Sequence, residues 1–116
     1  MNSAEHPLSM RVEQDEKGET LRIFLQGELD VSTSPDLLAQ LHASHAQGAT
    51  EITLDLSELD FIDSTGLSVL VSMQKRALSD KTKFVLTSPT PNFLRLVEVT
   101  GLTDFFGLDG HGVITE

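Results

Sequence analysis

The sequence predicts an α/β fold in which helices cover a mixed sheet of four or five strands. Two observations support this class. Segments with apolar residues at alternate positions, typical of strands, are separated by segments with apolar residues three and four apart, typical of helices. Their order, β-β-α-β-α-β-α, implies right-handed crossovers and a mostly parallel sheet. The 116 residues fit one domain, with a core over about residues 8–108 and flexible ends at 1–7 and 109–116.

Strand-like alternation occurs in four segments of the chain. Residues 8–14 and 21–26 are joined by a polar turn that contains glycine, which favours an antiparallel hairpin. Residues 51–56 and 83–87 form the third and fourth predicted strands, and residues 102–108 are expected to add a short fifth strand. We expect the strands to lie in the order 1-2-3-4, with the first strand as an antiparallel edge.

Each predicted helix has a start or stop signal of its own. The first, over residues 35–46, has the Ser34 hydroxyl as its expected cap, followed by proline and an acidic residue. The second, over residues 67–78, is the most apolar. The third begins at Thr90 and has Gly101 as its expected C-cap. The predicted core residues are Ile23, Leu25, Ile52, Leu54, Leu56, Leu67, Leu70, Val71, Phe84, Leu86 and Leu96.

Composition excludes several classes of protein. The chain has no cysteine, so it forms no disulfide, thiolate metal site or cysteine nucleophile. No apolar run approaches the ~20 residues that span a bilayer, and residues 1–10 lack the features of a secretory signal. A cytoplasmic protein is therefore expected. The net charge of −10 argues against binding to nucleic acid or to a membrane, both of which favour a cationic face.

The net negative charge is concentrated in one half of the chain. Residues 23–74 contain no lysine or arginine. The same segment contains eight carboxylates, which are Glu28, Asp30, Asp36, Glu51, Asp55, Glu58, Asp60 and Asp63. Two interpretations remain open: a solvated acidic surface, or a docking face for a partner with basic residues.

Two loops are expected to meet at one edge of the sheet. Parallel neighbouring strands lie about 4.8 Å apart, and their carboxyl ends share an edge where ligands usually bind. Loops 27–34 and 59–66 would then lie side by side, with Asp30 and Ser64 within roughly 10 Å of each other. Their polar side chains are those of Glu28, Asp30, Ser32, Thr33, Asp60, Asp63, Ser64 and Thr65.

The segment from Asp63 to Gly66 opens the most apolar helix and has two interpretations. In the first, Asp63 or Ser64 caps the helix by accepting a backbone N–H, and Gly66 eases the turn. In the second, Ser64 presents its hydroxyl at a helix N-terminus, where a phosphate group would meet free N–H groups and the positive end of the helix dipole. Both interpretations can hold for one residue.

Enzymatic and metal-binding alternatives are less favoured by the sequence. A hydrolase pairing Ser64 with His42 or His45 would need a nucleophile elbow, and the GxSxG motif for one is absent. Asp60 and Asp63 could hold Mg²⁺, but carboxylates three apart in a turn are common. The phosphate-binding motifs GxxxxGK[ST] and GxGxxG are also absent. We therefore expect no metal ion and no cofactor.

Two motifs together resemble a known family. The first is GELD at residues 27–30, followed by Ser34-Pro35. The second is LDL at residues 54–56, leading to FIDSTGL at residues 61–67. At this spacing they resemble the STAS domain of bacterial anti-sigma factor antagonists, over about residues 8–108. Many family members have glycine where this chain has Ser68.

The resemblance implies a partner switch rather than an enzyme. A serine kinase/anti-sigma factor with a histidine-kinase-like ATPase fold would phosphorylate Ser64, and the unphosphorylated chain would sequester that kinase. A metal-dependent serine phosphatase would restore the unphosphorylated form. Asp30 matches the aspartate that family members place beside the acceptor, and the chain is expected to be a monomer. The partner-binding residues implied are Glu28, Asp30, Ser32, Asp63, Ser64, Thr65, Gly66, Leu67 and Ser68.

A second function remains open. The chain could be a constitutive STAS scaffold, or a subunit of a transport or stress complex, in which residues 63–66 serve only as a helix cap. Within the first function, Thr65 and Ser68 are competing acceptors for the phosphate.

Overall fold

The computed structural model describes residues 8–108, so the expectations for residues 1–7 and 109–116 lie outside the described part. It contains four strands and three helices in the predicted order. Their bounds are β1 Leu8–Gln14, β2 Thr20–Leu29, α1 Ser34–Ala46, β3 Glu51–Ile62, α2 Ser64–Asp80, β4 Lys83–Thr87 and α3 Pro91–Thr100. Within residues 8–108, no helix combines the length and the apolar character needed to cross a bilayer.

The sheet has the order β1-β2-β3-β4, as predicted. Strand β1 pairs antiparallel with β2, and the other pairs are parallel. The predicted fifth strand is wrong, because residues 102–108 form consecutive turns. These turns are closed by backbone hydrogen bonds from Phe106 to Leu102 (3.1 Å) and from Leu108 to Thr103 (2.8 Å). Phe106 and Leu108 are buried there, so the apolar pattern reflects packing rather than strand pairing.

The core lies between one face of the sheet and the helices. Along β2, Leu21, Ile23 and Leu25 are buried, whereas Arg22 and Gln26 on the opposite face are exposed. Helix α2 contacts α1, β3 and β4. All of the predicted core residues are buried except two, Val71 and Leu96, which are half-buried.

Strands β2 and β3 extend further than predicted, to Leu29 and Ile62, because their pairing continues through two register shifts. At the first shift, the Asp55 carboxylate accepts hydrogen bonds from the backbone N–H (2.9 Å) and hydroxyl (2.7 Å) of Ser57. The second follows Gly27, whose φ of 114° favours glycine. These shifts place Leu29 directly opposite Ile62, which aligns the two following loops.

The start of α3 agrees with the prediction, whereas the starts of α1 and α2 differ from it. The Thr90 hydroxyl caps α3 by accepting the Phe93 N–H at 3.2 Å, and α3 ends at Gly101 with a φ of 76°. Helix α2 begins at Ser64, three residues before its predicted start at residue 67, because the Asp63 side chain caps it there. The predicted Ser34 cap of α1 is wrong: Thr33 occupies that position, and Ser34 is the first helical residue, with a buried hydroxyl that has no hydrogen-bond partner within residues 8–108.

Candidate functional site

The carboxylate of Asp63 joins the two loops at the carboxyl edge of the sheet. One oxygen, Oδ1, accepts the Gly66 N–H at 2.9 Å and so caps α2. The other, Oδ2, accepts the Val31 N–H at 3.2 Å from the neighbouring loop. The backbone N–H of Asp63 donates to the Leu29 carbonyl at 3.1 Å. The predicted side-by-side placement of the two loops is therefore present.

The Asp30 carboxylate accepts hydrogen bonds from residues of its own loop. Its Oδ1 accepts the Ser32 backbone N–H (3.0 Å), the Ser32 hydroxyl (2.9 Å) and the Thr33 backbone N–H (3.1 Å). The hydrogen bond from the Ser32 hydroxyl is the largest cause that lowers the pKa of Asp30 below its ordinary value. Desolvation opposes this effect, whereas hydrogen bonds from the backbone N–H groups of Thr33 and Ser32 and from the Thr33 hydroxyl add to it. Asp30 is therefore anionic at neutral pH, and it orders the start of α1 as well as adding charge to this edge.

Ser64 is the first residue of α2 and is exposed to solvent. Within residues 8–108, the Ser64 hydroxyl has no hydrogen-bond partner. The backbone N–H groups in the first turn of any helix also lack hydrogen-bond acceptors within that helix. Thr65 and Ser68 are also exposed. The Ser68 hydroxyl is held by the Ser64 carbonyl at 2.9 Å. Of these three side chains, Ser64 presents its hydroxyl at the end of the helix, where a phosphate group would meet backbone donors.

Gly66 and Leu67 position the helix rather than forming a surface. A Cβ added to Gly66 would lie 2.7 Å from Leu29 Cγ and 2.8 Å from the Leu29 carbonyl oxygen. Only glycine therefore lets α2 pack this closely on the end of β2. The Leu67 side chain is 6 % exposed and belongs to the core. The expectation that both residues contact a partner stays a prediction, and both residues are buried in this conformation.

The remaining predicted contacts lie on an acidic edge. Of these residues, Ser32 is exposed, whereas Glu28 and Asp63 are half-buried; Asp60, outside the predicted contacts, is exposed. The Glu28 carbonyl accepts the Thr33 hydroxyl at 2.8 Å, which fixes the loop backbone. Within residues 8–108, no three histidine or acidic side chains come together as metal ligands.

His45 of α1 lies away from Ser64. Burial, and then the charge of Arg76, lowers the pKa of His45, so this side chain packs near the end of α2. Arg76 follows Ser64 by twelve residues, which is about 18 Å along a helix. His45 is therefore not placed to take a proton from Ser64.

An apolar groove, which was not predicted from the sequence, lies beside these loops. It has a volume of about 370 Å³ and lies between the end of β3 and α3. Its lining residues are Phe61, Ile62, Asn92, Arg95, Leu96 and Val99. Phe61 is 48 % exposed and Val99 is 78 % exposed. The sequence feature that could have predicted this groove is the spacing of positions 92, 95, 96 and 99, which lie on one face of a helix.

Comparisons with known proteins agree with this architecture. The family model described as "Mlab, STAS domain" matches residues 12–110. The anti-sigma-B factor antagonist of Listeria monocytogenes is 34 % identical over 82 residues, which cover 71 % of this chain and 72 % of that relative.

Two solved structures are similar along most of their length. An anti-sigma factor antagonist from Mycobacterium paratuberculosis has a TM-score of 0.76 at 27 % identity, covering 87 % of this chain and 84 % of that one. The anti-sigma factor antagonist SpoIIAA in its unphosphorylated form has a TM-score of 0.72 at 25 % identity, covering 83 % of this chain and 84 % of its own. Because the family model spans most of the sequence and the sheet and helices superpose on these antagonists, the chain belongs to the STAS-domain family of anti-sigma factor antagonists.

Proposed function

We propose that the chain is a phosphorylation-controlled binding protein and not an enzyme. Unphosphorylated, it sequesters a serine kinase/anti-sigma factor of the histidine-kinase-like ATPase type. The kinase transfers the γ-phosphoryl group of ATP to Ser64, which forms the Oγ–P bond and releases ADP and the hydroxyl proton. The observation that carries the proposal is the exposed Ser64 hydroxyl at the first position of α2. That the related SpoIIAA has been solved in unphosphorylated and phosphorylated forms supports it.

The switch acts through charge rather than refolding. A phosphoserine adds about −1.5 to −2 charges at pH 7. At Ser64 it would join the carboxylates of Asp30, Asp60 and Asp63 on the same edge. A partner that covers this edge would have to desolvate an unpaired charge, which is costly. Roughly 3 kcal/mol of such repulsion and desolvation lowers affinity by over ~100-fold. A metal-dependent serine phosphatase removes the group and restores binding.

The partner surface in this proposal centres on the first turn of α2 and the loop after β2. Ser64, Thr65 and Ser68 provide exposed hydroxyls, and Ser32 lies exposed in the adjacent loop. Asp63 acts as a positioning residue, because its carboxylate holds both segments together.

The experiment uses the full chain, ATP and the serine kinase/anti-sigma factor from the same organism. Mass spectrometry of the digested product is expected to find one phosphate, on Ser64. Ser64→Ala is expected to bind the kinase and remain unmodified, whereas Thr65→Ala and Ser68→Ala, the matched controls, are modified as the wild type is. Phosphate on Thr65 or Ser68 with Ser64 intact would contradict the assignment.

A constitutive scaffold is the second candidate. The favouring observation is that Asp63 and Gly66 both have structural roles that need no phosphate: the cap of α2 and its close approach to Leu29. In that case Ser64→Asp binds the chain's partners as the wild type does, and no kinase modifies the protein.

A further inference from the structure

The apolar groove between β3 and α3 adjoins the Ser64 loop. Phe61 and Ile62 line its β3 side, and Ile62 is followed directly by Asp63, the cap of α2. Val31, whose N–H is held by Asp63, is 68 % exposed at the same edge. A protein that covers Ser64 would therefore lie next to the groove, because the lining residue Ile62 precedes Ser64 by two positions.

The groove combines an apolar lining with a cation. Phe61, Leu96 and Val99 supply apolar surface, and Arg95 is the one charged residue of the lining. Within residues 8–108, no carboxylate lies at ion-pairing distance from Arg95. Exposed large apolar side chains beside a cation without a partner are typical of a binding surface rather than of a solvated one.

The charges form an ordered pattern across this edge. The carboxylates of Asp30 and Asp63 lie in the two loops on the Ser64 side, and residues 23–74 contain no lysine or arginine. The apolar groove lies next to these loops, and Arg95 lies on its α3 side. The complementary surface has basic residues opposite the carboxylates, an apolar side chain opposite the groove, and a carboxylate opposite Arg95.

We propose that this groove is a docking subsite for the kinase/anti-sigma partner of Ser64, and that it takes an apolar side chain flanked by a carboxylate. The inference rests on the proposed function and specifies the partner's chemistry beyond it. The cation fixes the register of docking, because a uniformly basic partner surface would be repelled at Arg95. The apolar side chain supplies the central desolvated contact.

A charge reversal separates this proposal from general electrostatic attraction. Arg95→Glu makes the chain more acidic, so attraction to a basic partner by net charge alone would strengthen binding. The proposed carboxylate contact predicts instead that affinity for the kinase falls at least tenfold. Lys17→Glu is the matched control: it makes the same charge change in the turn between β1 and β2, at the opposite edge of the sheet, and is expected to leave the dissociation constant within about twofold. Equal effects of the two variants would overturn the proposal.

The apolar contact has its own matched pair. Val99→Ser is expected to weaken binding at least fivefold, because it removes an exposed apolar side chain from the groove. Leu78→Ser removes one that is 64 % exposed near the end of α2, outside the groove, and is expected to have no effect on binding. Thermal unfolding of both variants checks that each remains folded. If Val99→Ser binds with wild-type affinity, the proposed apolar contact in the groove is wrong.

Steady-state phosphorylation distinguishes the two proposals. If the groove is a docking subsite away from the reacting hydroxyl, the groove variants raise KM for the chain and leave kcat for Ser64 unchanged. If Ser64 is phosphorylated and the groove variants keep the wild-type KM, the groove proposal fails and the proposed function stands. If no kinase phosphorylates wild-type Ser64, the proposed function fails, and the partner assigned to the groove fails with it.

Discussion

The Asp63 carboxylate accepts the Val31 N–H at 3.2 Å while it also accepts the Gly66 N–H at 2.9 Å. One side chain therefore holds the loop after β2 and the first turn of α2 in a fixed relation. Ser64 lies directly after Asp63, so the position of its hydroxyl depends on both contacts. This arrangement explains why an aspartate, with two accepting oxygens, suits this position better than a hydroxyl cap.

Replacing Asp63 should destabilise the fold and loosen the loop after β2. Asp63→Ala removes the cap of α2, which is typically a loss of about 0.5–2 kcal/mol, and leaves the Val31 N–H without its acceptor. Urea unfolding measures the stability, and amide hydrogen exchange at Val31 measures the loop. Asp63→Asn keeps one accepting oxygen and should lose less than Ala. Wild-type exchange at Val31 in Asp63→Ala would show that the second contact does not hold the loop.

Gly66→Ala should be destabilising although alanine is a better helix former than glycine. The added Cβ would lie 2.7 Å from Leu29 Cγ and 2.8 Å from the Leu29 carbonyl oxygen, so α2 must shift away from β2. Overpacking of this kind costs typically about 1–3 kcal/mol. Chemical denaturation measures the change. Thr65→Ala, at the exposed neighbouring position, is the control and should be close to neutral; equal stabilities for the two variants would contradict the packing argument.

The Asp30 carboxyl should titrate below its ordinary range. The Ser32 hydroxyl is the largest cause of the lowered pKa, so Ser32→Ala should move the midpoint back upward. The folded pKa lies below the unfolded one, and the stabilisation by ionised Asp30 is therefore present above the unfolded value of about 3.9 and lost as pH falls through the folded pKa. NMR titration of the Asp30 carboxyl carbon measures the midpoint. A midpoint unaffected by Ser32→Ala would mean that this hydrogen bond does not cause the shift.

Phosphorylation of Ser64 should weaken binding to the kinase by over ~100-fold. Ser64→Asp should weaken binding by less, because a carboxylate carries one charge and a phosphate carries about −1.5 to −2. Isothermal titration calorimetry with the phosphorylated chain, Ser64→Asp and Ser64→Ala compares the three states. Equal affinity of the phosphorylated and unphosphorylated chains would argue for the scaffold function.

The acidic edge should accelerate association with the partner. Glu58 is exposed, and Glu58→Lys should slow association more than it speeds dissociation, because rim charges act mainly on the on-rate. The effect should weaken with salt, since the Debye length falls from ~10 Å at 0.1 M to ~3 Å at 1 M. Stopped-flow binding at several salt concentrations measures both rates. Glu16→Lys, in the turn at the opposite edge, is the control, and a salt-independent on-rate would leave the acidic residues as a solvated surface.

The sequence by itself determined the fold class, the sheet order and the placement of Ser64 at a helix start. These features depend on local patterns: alternation in β2, the proline after Ser34, and the Asp63–Gly66 cap signal. The assignment of Ser34 as the cap of α1 was wrong by one residue: Thr33 is the cap, and its hydroxyl accepts the Asp30 N–H at 2.9 Å instead of an N–H of the helix.

Only the tertiary structure decided how the site is assembled. The register shifts after Phe24 and Gly27 carry β2 and β3 beyond their predicted ends, and they set which loop backbone faces Asp63. The exclusion of a side chain at Gly66 depends on Leu29, 37 residues earlier in the chain. The groove forms because α3 returns to the end of β3. Contacts of this kind depend on the register between strands and on helix packing, which local periodicity and capping signals do not encode.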